Sequence, residues 1–143
     1  MDALDQKILE KVPNTHIRID GKVPTAVRAQ LVRKFQTCSK VRVGLLSMTA
    51  AGVGLTLTAA STVLFAELHW TPGVLAQAED RVHRIGQSHS SVQIFYMICK
   101  DESMSVDTII WNQLGRKIGT IGKVVDGSNV SNHVNMILNL RWF

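Results

Sequence analysis

The 143-residue sequence has few of the residues that define disulfide-rich, fibrous or secreted proteins. It contains only two cysteines, Cys38 and Cys99, which are expected to stay reduced in an intracellular protein. With no third or fourth cysteine, a structural zinc site is not expected. The absence of a Gly-X-Y period and of a heptad run excludes collagen-like and coiled-coil classes. The first residues show no basic segment followed by an apolar one, so no signal peptide is predicted.

One stretch has no charge at all. Residues 43–66 run for 24 positions without Asp, Glu, Lys or Arg, which is long enough to span a bilayer. Six of these residues are Ser or Thr and three are Gly, and no basic flank or aromatic belt frames them. We therefore predict buried strands joined by a loop, and no membrane partner.

Acidic residues are scarce in the first third of the chain. Residues 1–50 contain nine Lys or Arg and four Asp or Glu, whereas the other 93 residues contain seven of each. The whole net charge of +5 therefore arises in the first third. A polyanionic partner and an ordinary solvated helix face both explain this bias.

The apolar spacing predicts helices that alternate with short strands. With 45% apolar and 19% charged residues, the chain can bury the core of one ordinary domain. Helical spacing recurs in residues 2–12, 27–35 and 106–118, and Thr71-Pro72 should begin another helix that runs to about Arg84 and ends near Gly86. Strands are expected at residues 15–19, 41–46, 62–66 and 92–99. This alternation predicts the α/β class, with a parallel sheet covered by helices on both faces.

Residues 77–87 read Gln-Ala-Glu-Asp-Arg-Val-His-Arg-Ile-Gly-Gln. On a continuous helix, Gln77, Arg81 and Arg84 would share one face, and the apolar residues of the opposite face would pack on the sheet, namely Leu75, Ala78, Val82 and Ile85. Two neighbouring guanidinium groups repel unless an anion lies between them, and arginine binds phosphate oxygens through two parallel hydrogen bonds. The alternative is a pair of solvated arginines with Asp80 or Glu79 as a local partner.

Residues 47–57 read Ser-Met-Thr-Ala-Ala-Gly-Val-Gly-Leu-Thr-Leu and follow a predicted strand. Ligands of open α/β sheets bind at the carboxyl ends of strands. Small residues let the backbone approach a ligand closely, and hydroxyl and N–H groups suit phosphates. Gly- and Ala-rich turns also occur for packing reasons alone, so this segment by itself is a weak signal.

Both segments resemble motifs of one protein family. Residues 77–87 resemble motif VI, and residues 47–57 motif V, of the SNF2 family of helicase-like DNA translocases. Asp20-Gly21, Arg28 and Phe35 are similar to the family's preceding conserved segment, and 65–72 resembles the stretch between motifs V and VI. The residues of motif V and of Phe65-Ala-Glu-Leu resemble the annealing-helicase branch more than the nucleosome remodellers. That branch includes the HARP type and the zinc-finger-Ran-binding-domain type. The resemblance covers about residues 2–126.

The resemblance implies a fold and a domain organisation. It implies a second, C-terminal RecA-like lobe in residues 1–121: a three-layer α/β fold with a parallel sheet, lacking its first strand. Residues 122–143, polar and then apolar, are not assigned.

The resemblance also implies roles for individual residues. Arg84 corresponds to the arginine finger on the γ-phosphate, Arg81 to its neighbour at the nucleotide, and Gln77 to their polar partner. In motif V, Thr49, Gly52 and Gly54 correspond to residues that link the nucleotide cleft to the DNA backbone. The basic residues Lys22 and Arg28 are candidate DNA contacts, although Lys22-Val23 replaces the family's usual Ser-Thr. His83 is given no chemistry.

The sequence contains neither a Gly-x-x-x-x-Gly-Lys-[Ser/Thr] loop nor an Asp-Glu-x-His box. In the family these elements belong to the first motor lobe and hold ATP and Mg²⁺. The chain is therefore expected to be an incomplete second lobe, inactive as an ATPase by itself. ATP and Mg²⁺ are its expected cofactors only with a first lobe, and no resident metal is expected.

The resulting functional hypothesis is the C-terminal motor lobe of an ATP-dependent DNA annealing helicase. The complete motor would rewind DNA at stalled forks in the nucleus, contacting the DNA backbone without sequence preference. Two alternatives stay open: a lobe of a nucleosome remodeller, and a non-catalytic module that binds DNA or another partner.

Overall fold

The computed structural model describes residues 1–51, 54–99, 105–125 and 136–137. The chain forms two compact units, one of Met1–Ser61 with Gln77–Val92 and the other of Thr62–Ala76 with Gln93–Phe143. Within the described residues, no helix is both long and apolar enough to cross a membrane.

The first unit contains a parallel strand pair and its flanking helices. Along the chain these are α1 (Asp2–Lys11), β1 (His16–Ile19), α2 (Thr25–Thr37), β2 (Val43–Leu46) and α3 (Met48–Ala51). β1 and β2 pair in parallel, from His16 opposite Val43 to Ile19 opposite Leu46. Ile17 and Ile19 of β1 are buried, as is Phe35 of α2. Because the strands are parallel, the turns that follow β1 and β2 leave the same edge.

An ionic cluster joins α1 to β1. The Arg18 guanidinium pairs with Asp2, with Asp5 at 2.7 Å and with Asp20 at 2.9 Å, and His16 Nε2 lies 2.7 Å from Asp5 Oδ1. Hydrogen bonds from Arg18 lower the pKa of Asp2 and Asp5, and the pKa of Asp20 is lowered first by the backbone N–H of Lys22 and then by Arg18. These three carboxylates therefore stay ionised and are occupied inside the unit.

The second unit also contains parallel strands. β3 (Thr62–Phe65), β4 (Gln93–Met97) and β5 (Met136–Ile137) pair in that order, with α5 (Val106–Val125) in the same unit. Tyr96 of β4 stacks on Phe65 with ring centroids 4.7 Å apart and contacts Trp111 of α5 at 5.4 Å. Ile110 and Leu114 bury the inner face of α5.

The predicted α/β class is confirmed, because every observed strand pair is parallel and helices separate β1 to β4 along the chain. The helix predicted from Pro72 does begin there, as α4 (Pro72–Glu79), but it ends at Glu79 and not at Arg84. The Arg81 carbonyl would accept the N–H of Ile85 in a continued helix; instead it accepts the N–H of Leu57, at 2.8 Å. Just beyond the end of the helix, the chain is therefore bound to a distant segment.

Several apolar residues at the predicted helical spacing are exposed, namely Leu4, Val12, Val27, Ile85 and Val106. Ile85 is fully exposed, because the helix that would have turned it inward has already ended. Val106 is 64% exposed in the first turn of α5. The side chain of Ile118, predicted on the same face of α5, lies outside the described residues, as does most of the 122–143 tail. The boundary at residue 121 stays a prediction.

Candidate active site

The three polar residues singled out in 77–87 line one cleft. Gln77, Arg81 and Arg84 border a cavity of about 730 Å³. Its other lining residues belong to the same segment or closely follow it, namely Asp80, His83, Ile85, Gln87, His89, Ser90 and Ser91. The expectation that the three share a helix face is wrong, because Gln77 lies in the last turn of α4 whereas Arg81 and Arg84 lie in the irregular chain beyond it. The three side chains therefore reach the same cleft through the turns that follow α4, and not by sharing one face of a helix.

Arg84 is exposed and directed to the 47–57 segment. Its Nη1 donates a hydrogen bond of 3.3 Å to Thr56 Oγ1. Among the described residues, neither Asp80 nor Glu79 forms an ion pair with Arg84, so a local salt bridge to this arginine is not observed. A guanidinium held by one neutral hydroxyl keeps most of its five N–H groups for an incoming anion.

Arg81 ties the same two segments together through its backbone. Its carbonyl accepts the Leu57 N–H described above, and its side chain is half-buried. Leu57 and Val82 are both buried, so apolar packing also helps to hold the 47–57 and 77–87 segments in place.

Gly86 shapes the turn that follows Arg84. The Arg84 carbonyl accepts the N–H of Gln87 at 3.0 Å, and Gly86 has a φ of +99°. Residues with a Cβ rarely adopt this conformation, so glycine is required for the chain to turn here. The turn brings Gln87 back to the cleft that Arg84 lines.

The candidate DNA-contacting residues follow β1 and β2 at their shared edge. After β2, Ser47 Oγ accepts the N–H of Ala50 at 3.3 Å and lies 3.5 Å from Thr49 Oγ1, with Thr49 exposed. Gly54 has a φ of +47°, and an added Cβ there would meet no atom within 4 Å, so its glycine serves the backbone conformation. Gly52, the other predicted glycine, lies outside the described residues.

The two basic residues that follow β1, Lys22 and Arg28, differ in whether their side chains are already hydrogen-bonded within the protein. Lys22 is exposed, and within the part of the chain that the structure describes its one hydrogen bond is from its backbone N–H to Asp20 Oδ1, at 2.9 Å. Arg28 is half-buried, and its Nε and Nη2 donate to the carbonyls of Val23 at 2.8 Å and Asp20 at 3.3 Å. Arg28 therefore also holds the turn, whereas the Lys22 ammonium is fully available.

The structure adds three residues to the candidate site that the sequence analysis did not single out. They are Thr56, which contacts Arg84, and the glutamines Gln36 and Gln87, which bind the 57–60 turn. Thr56 and Gln87 belong to the segments 47–57 and 77–87, whereas Gln36 belongs to neither. The partners of all three are 22 to 28 positions away, so spacing within one segment does not predict these contacts.

Comparison with known proteins gives the class first. Residues 1–86 match the family model of the helicase conserved C-terminal domain, so the chain belongs to that family. The solved structure of the C-terminal part of the Fun30 ATPase domain superposes with a TM-score of 0.70 at 30% identity, covering 79% of this chain and 36% of that chain. The RecA-like lobe fold is thereby confirmed.

The relatives narrow the class to the SNF2 family. A Caenorhabditis elegans homologue of SWI/SNF-related matrix-associated actin-dependent regulator of chromatin subfamily A-like protein 1 is 52% identical over 108 residues, which are 76% of this chain and 15% of that protein. The DNA annealing helicase and endonuclease ZRANB3 of Bos taurus is 46% identical over 127 residues, 89% of this chain and 11% of that protein. The chain is a C-terminal lobe segment of this family and spans less than a sixth of the length of either relative.

Proposed function

We propose that this chain supplies the second half of the ATPase site in a DNA annealing helicase. The observation that carries the proposal is the cleft that Gln77, Arg81 and Arg84 line, with Arg84 held beside the 47–57 segment by Thr56. A guanidinium, a second guanidinium and an amide provide hydrogen-bond donors suited to phosphate oxygens, without a carboxylate paired to Arg84 among the described residues.

In this proposal ATP and Mg²⁺ bind mainly to a first lobe, which supplies the phosphate-binding loop. The nucleotide triphosphate provides the phosphoryl group, and this chain provides charge stabilisation. Arg84 donates hydrogen bonds to the γ-phosphate oxygens as negative charge develops there, and Arg81 neutralises charge on the neighbouring phosphates. Gln77 helps to orient the triphosphate through its side-chain amide. Gly52 and Gly54 let the motif V backbone approach the nucleotide closely.

The same lobe is proposed to contact the DNA backbone. Residues 21–66 contain six Lys or Arg and no Asp or Glu, whereas the carboxylates of Asp2, Asp5 and Asp20 are occupied by Arg18. Lys22, Arg28 and Thr49 follow β1 and β2 at one edge, where their donors suit phosphate oxygens. Contacts of this type recognise DNA without reading its sequence.

We expect the chain to bind DNA weakly and with a strong salt dependence. With two cationic phosphate contacts, from Lys22 and Arg28, affinity should fall about 12-fold when salt rises about fourfold. Fluorescence anisotropy with two unrelated duplexes measures both the slope and the sequence preference. Lys22→Gln should reduce the logarithmic slope by about 0.9, whereas Lys11→Gln, an equal charge change on α1, should leave it unchanged. Salt-independent or sequence-selective binding would refute the phosphate-contact proposal.

The substrate class follows from the relatives rather than from the cleft. Relatives named DNA annealing helicases are 46% identical over 89% of the chain, which supports an annealing reaction on DNA. We propose branched DNA as the substrate and the nucleus as the location. We expect a complete motor containing this lobe to anneal the strands of a fork substrate in an ATP-dependent reaction, with turnover not increased further by nucleosomes. A gel assay of fork annealing beside a nucleosome-sliding assay tests this. Sliding without annealing would support the remodeller alternative instead.

The proposed motor lobe occupies residues 1–121, with 122–143 unassigned. A non-catalytic module that binds DNA or a partner protein is the second candidate, favoured by the acid-free stretch 21–66. ATP turnover of a complete motor with and without Arg84 separates the two, because a non-catalytic module requires no arginine at the nucleotide.

A further inference from the structure

The turn of residues 57–60, which follows the 47–57 segment, is held by hydrogen bonds from two other parts of the chain. The carbonyl of Leu57 accepts the N–H of Ala60 at 3.0 Å, which closes a four-residue turn outside any helix or strand. Arg84 binds Thr56 just before this turn, and the Arg81 carbonyl binds the Leu57 N–H. The position of the turn therefore affects the position of Arg84.

Gln36 holds the turn from α2. Its side-chain Nε2 donates to Thr58 Oγ1 at 3.0 Å, and its Oε1 accepts the N–H of Ala59 at 2.7 Å. The side chain is half-buried, and both ends of its amide are used by this one turn. An amide that satisfies both a hydroxyl and a backbone N–H fixes orientation as well as distance.

Gln87 holds the turn from the opposite segment. Its Nε2 donates to the carbonyl of Ala60 at 2.9 Å and to that of Val82 at 3.1 Å, and its Oε1 accepts the N–H of His89 at 3.0 Å. Gln87 thus joins the turn to the chain on both sides of Arg84. Its role requires two donated hydrogen bonds, which only the amide nitrogen can supply.

We propose that Gln36 and Gln87 are positioning residues that hold the 57–60 turn and thereby set Arg84 in the nucleotide cleft. This inference rests on the proposed function, because it concerns the same site. The turn is continuous in sequence with the motif V residues that the proposal assigns to DNA, so it joins the DNA-contacting segment to the cleft. Loosening it should move Arg84 without removing any group that touches the nucleotide.

The donor and acceptor requirements of the two glutamines differ, and this yields a specific pattern. A glutamate at position 36 can still accept the Ala59 N–H, and the Thr58 hydroxyl can rotate to donate to it. A glutamate at position 87 would place carboxylate oxygens against the carbonyls of Ala60 and Val82, which cannot donate. Gln36→Glu should therefore preserve the turn, whereas Gln87→Glu should disrupt it.

The experiment is steady-state ATP turnover of a complete motor containing this lobe, at saturating fork DNA. We expect Gln36→Ala and Gln87→Ala to lower kcat by about 10- to 100-fold, since a misplaced positioning group costs this much. KM for ATP and the Kd for DNA should change by less than about threefold, because neither glutamine is proposed to contact ATP or DNA. Gln36→Glu should retain turnover and Gln87→Glu should not. Gln30→Ala, an exposed glutamine on the same helix, is the matched control.

Amide hydrogen exchange of the same proteins gives a readout independent of catalysis. The amides of Leu57 and Ala59 should lose protection in Gln36→Ala, and protection should return in Gln36→Glu. If both alanine variants fail to fold, the two glutamate variants still decide the question.

Two results would overturn the inference: turnover of both alanine variants equal to that of Gln30→Ala, or equal losses in Gln36→Glu and Gln36→Ala. Arg84→Ala is included as a reference. If Arg84→Ala lowers turnover while the glutamine variants do not, only this inference fails. If Arg84→Ala leaves turnover unchanged, the proposed function itself fails.

Discussion

Replacing Arg84 by alanine in a complete motor containing this lobe is expected to lower ATP turnover about 10³-fold. The guanidinium is exposed in the cleft, and its described hydrogen bond is to the neutral Thr56 hydroxyl, so it is available to developing charge on a phosphoryl group. Interactions that strengthen mainly in the transition state affect kcat more than binding. ATP affinity should therefore change much less than turnover, and the Kd for DNA should be nearly unchanged.

Two further variants test the chemistry of that position. Arg84→Lys should recover little, because an ammonium on a flexible chain cannot reproduce the planar two-point donor of arginine. Arg81→Ala should also be severe, with a larger share of its loss in KM for ATP. Lys11→Ala, which removes an exposed basic side chain on α1, is the control and should retain turnover. Steady-state phosphate release over a range of ATP concentrations separates kcat from KM. An Arg84→Ala motor with wild-type kcat would remove the finger assignment.

The second large effect concerns the chain by itself. We expect the isolated 143-residue protein to show no measurable ATP hydrolysis, with or without DNA. Its sequence has no Gly-x-x-x-x-Gly-Lys-[Ser/Thr] loop and no Asp-Glu-x-His box, so the groups that bind the phosphates and Mg²⁺ are missing. An arginine without a positioned phosphoryl group has no developing charge to stabilise.

Purified protein in a coupled ATPase assay tests this expectation, and Arg84→Ala is its internal control. Activity that survives the substitution would indicate a contaminating ATPase. Activity abolished by the substitution would contradict the expectation, because it would show a complete site within this chain.

The sequence predicts the elements well where the signal is local. The recurrence of Val27, Leu31 and Phe35 predicts a helix, and α2 is observed at Thr25–Thr37. The alternating run 15–19 predicts a strand, and β1 is observed at His16–Ile19. Both follow from periods of two or 3.6 residues, which apolar burial imposes on the sequence.

The end of α4 could not be predicted in the same way. Nothing in 80–85 forbids a helix, since it contains neither Gly nor Pro. Beyond the end of the helix, the Arg81 carbonyl accepts the N–H of Leu57, a residue more than twenty positions earlier. That bond is a tertiary contact, which local spacing does not predict, and Ile85 in the same irregular segment is exposed.

In the candidate site, too, local spacing predicts some features, whereas others depend on contacts between distant segments. The grouping of Gln77, Arg81 and Arg84 was predicted from spacing, and the cleft contains all three although the predicted helix face does not exist. The contacts of Arg84 with Thr56, and of Gln36 and Gln87 with the 57–60 turn, join residues far apart in sequence. Spacing within one segment carries no information about such pairs.

In the proposed function, this lobe completes an ATPase site by contributing Arg84. The most direct measurement is DNA-stimulated phosphate release by a first helicase lobe that retains its ATP-binding loop, assayed alone, joined to this chain, and joined to its Arg84→Ala variant. We predict turnover only in the joined wild-type protein, with the variant lower by about 10³-fold. Equal turnover in the wild-type and variant proteins, or no turnover in a joined protein that binds both ATP and DNA, would contradict the claim.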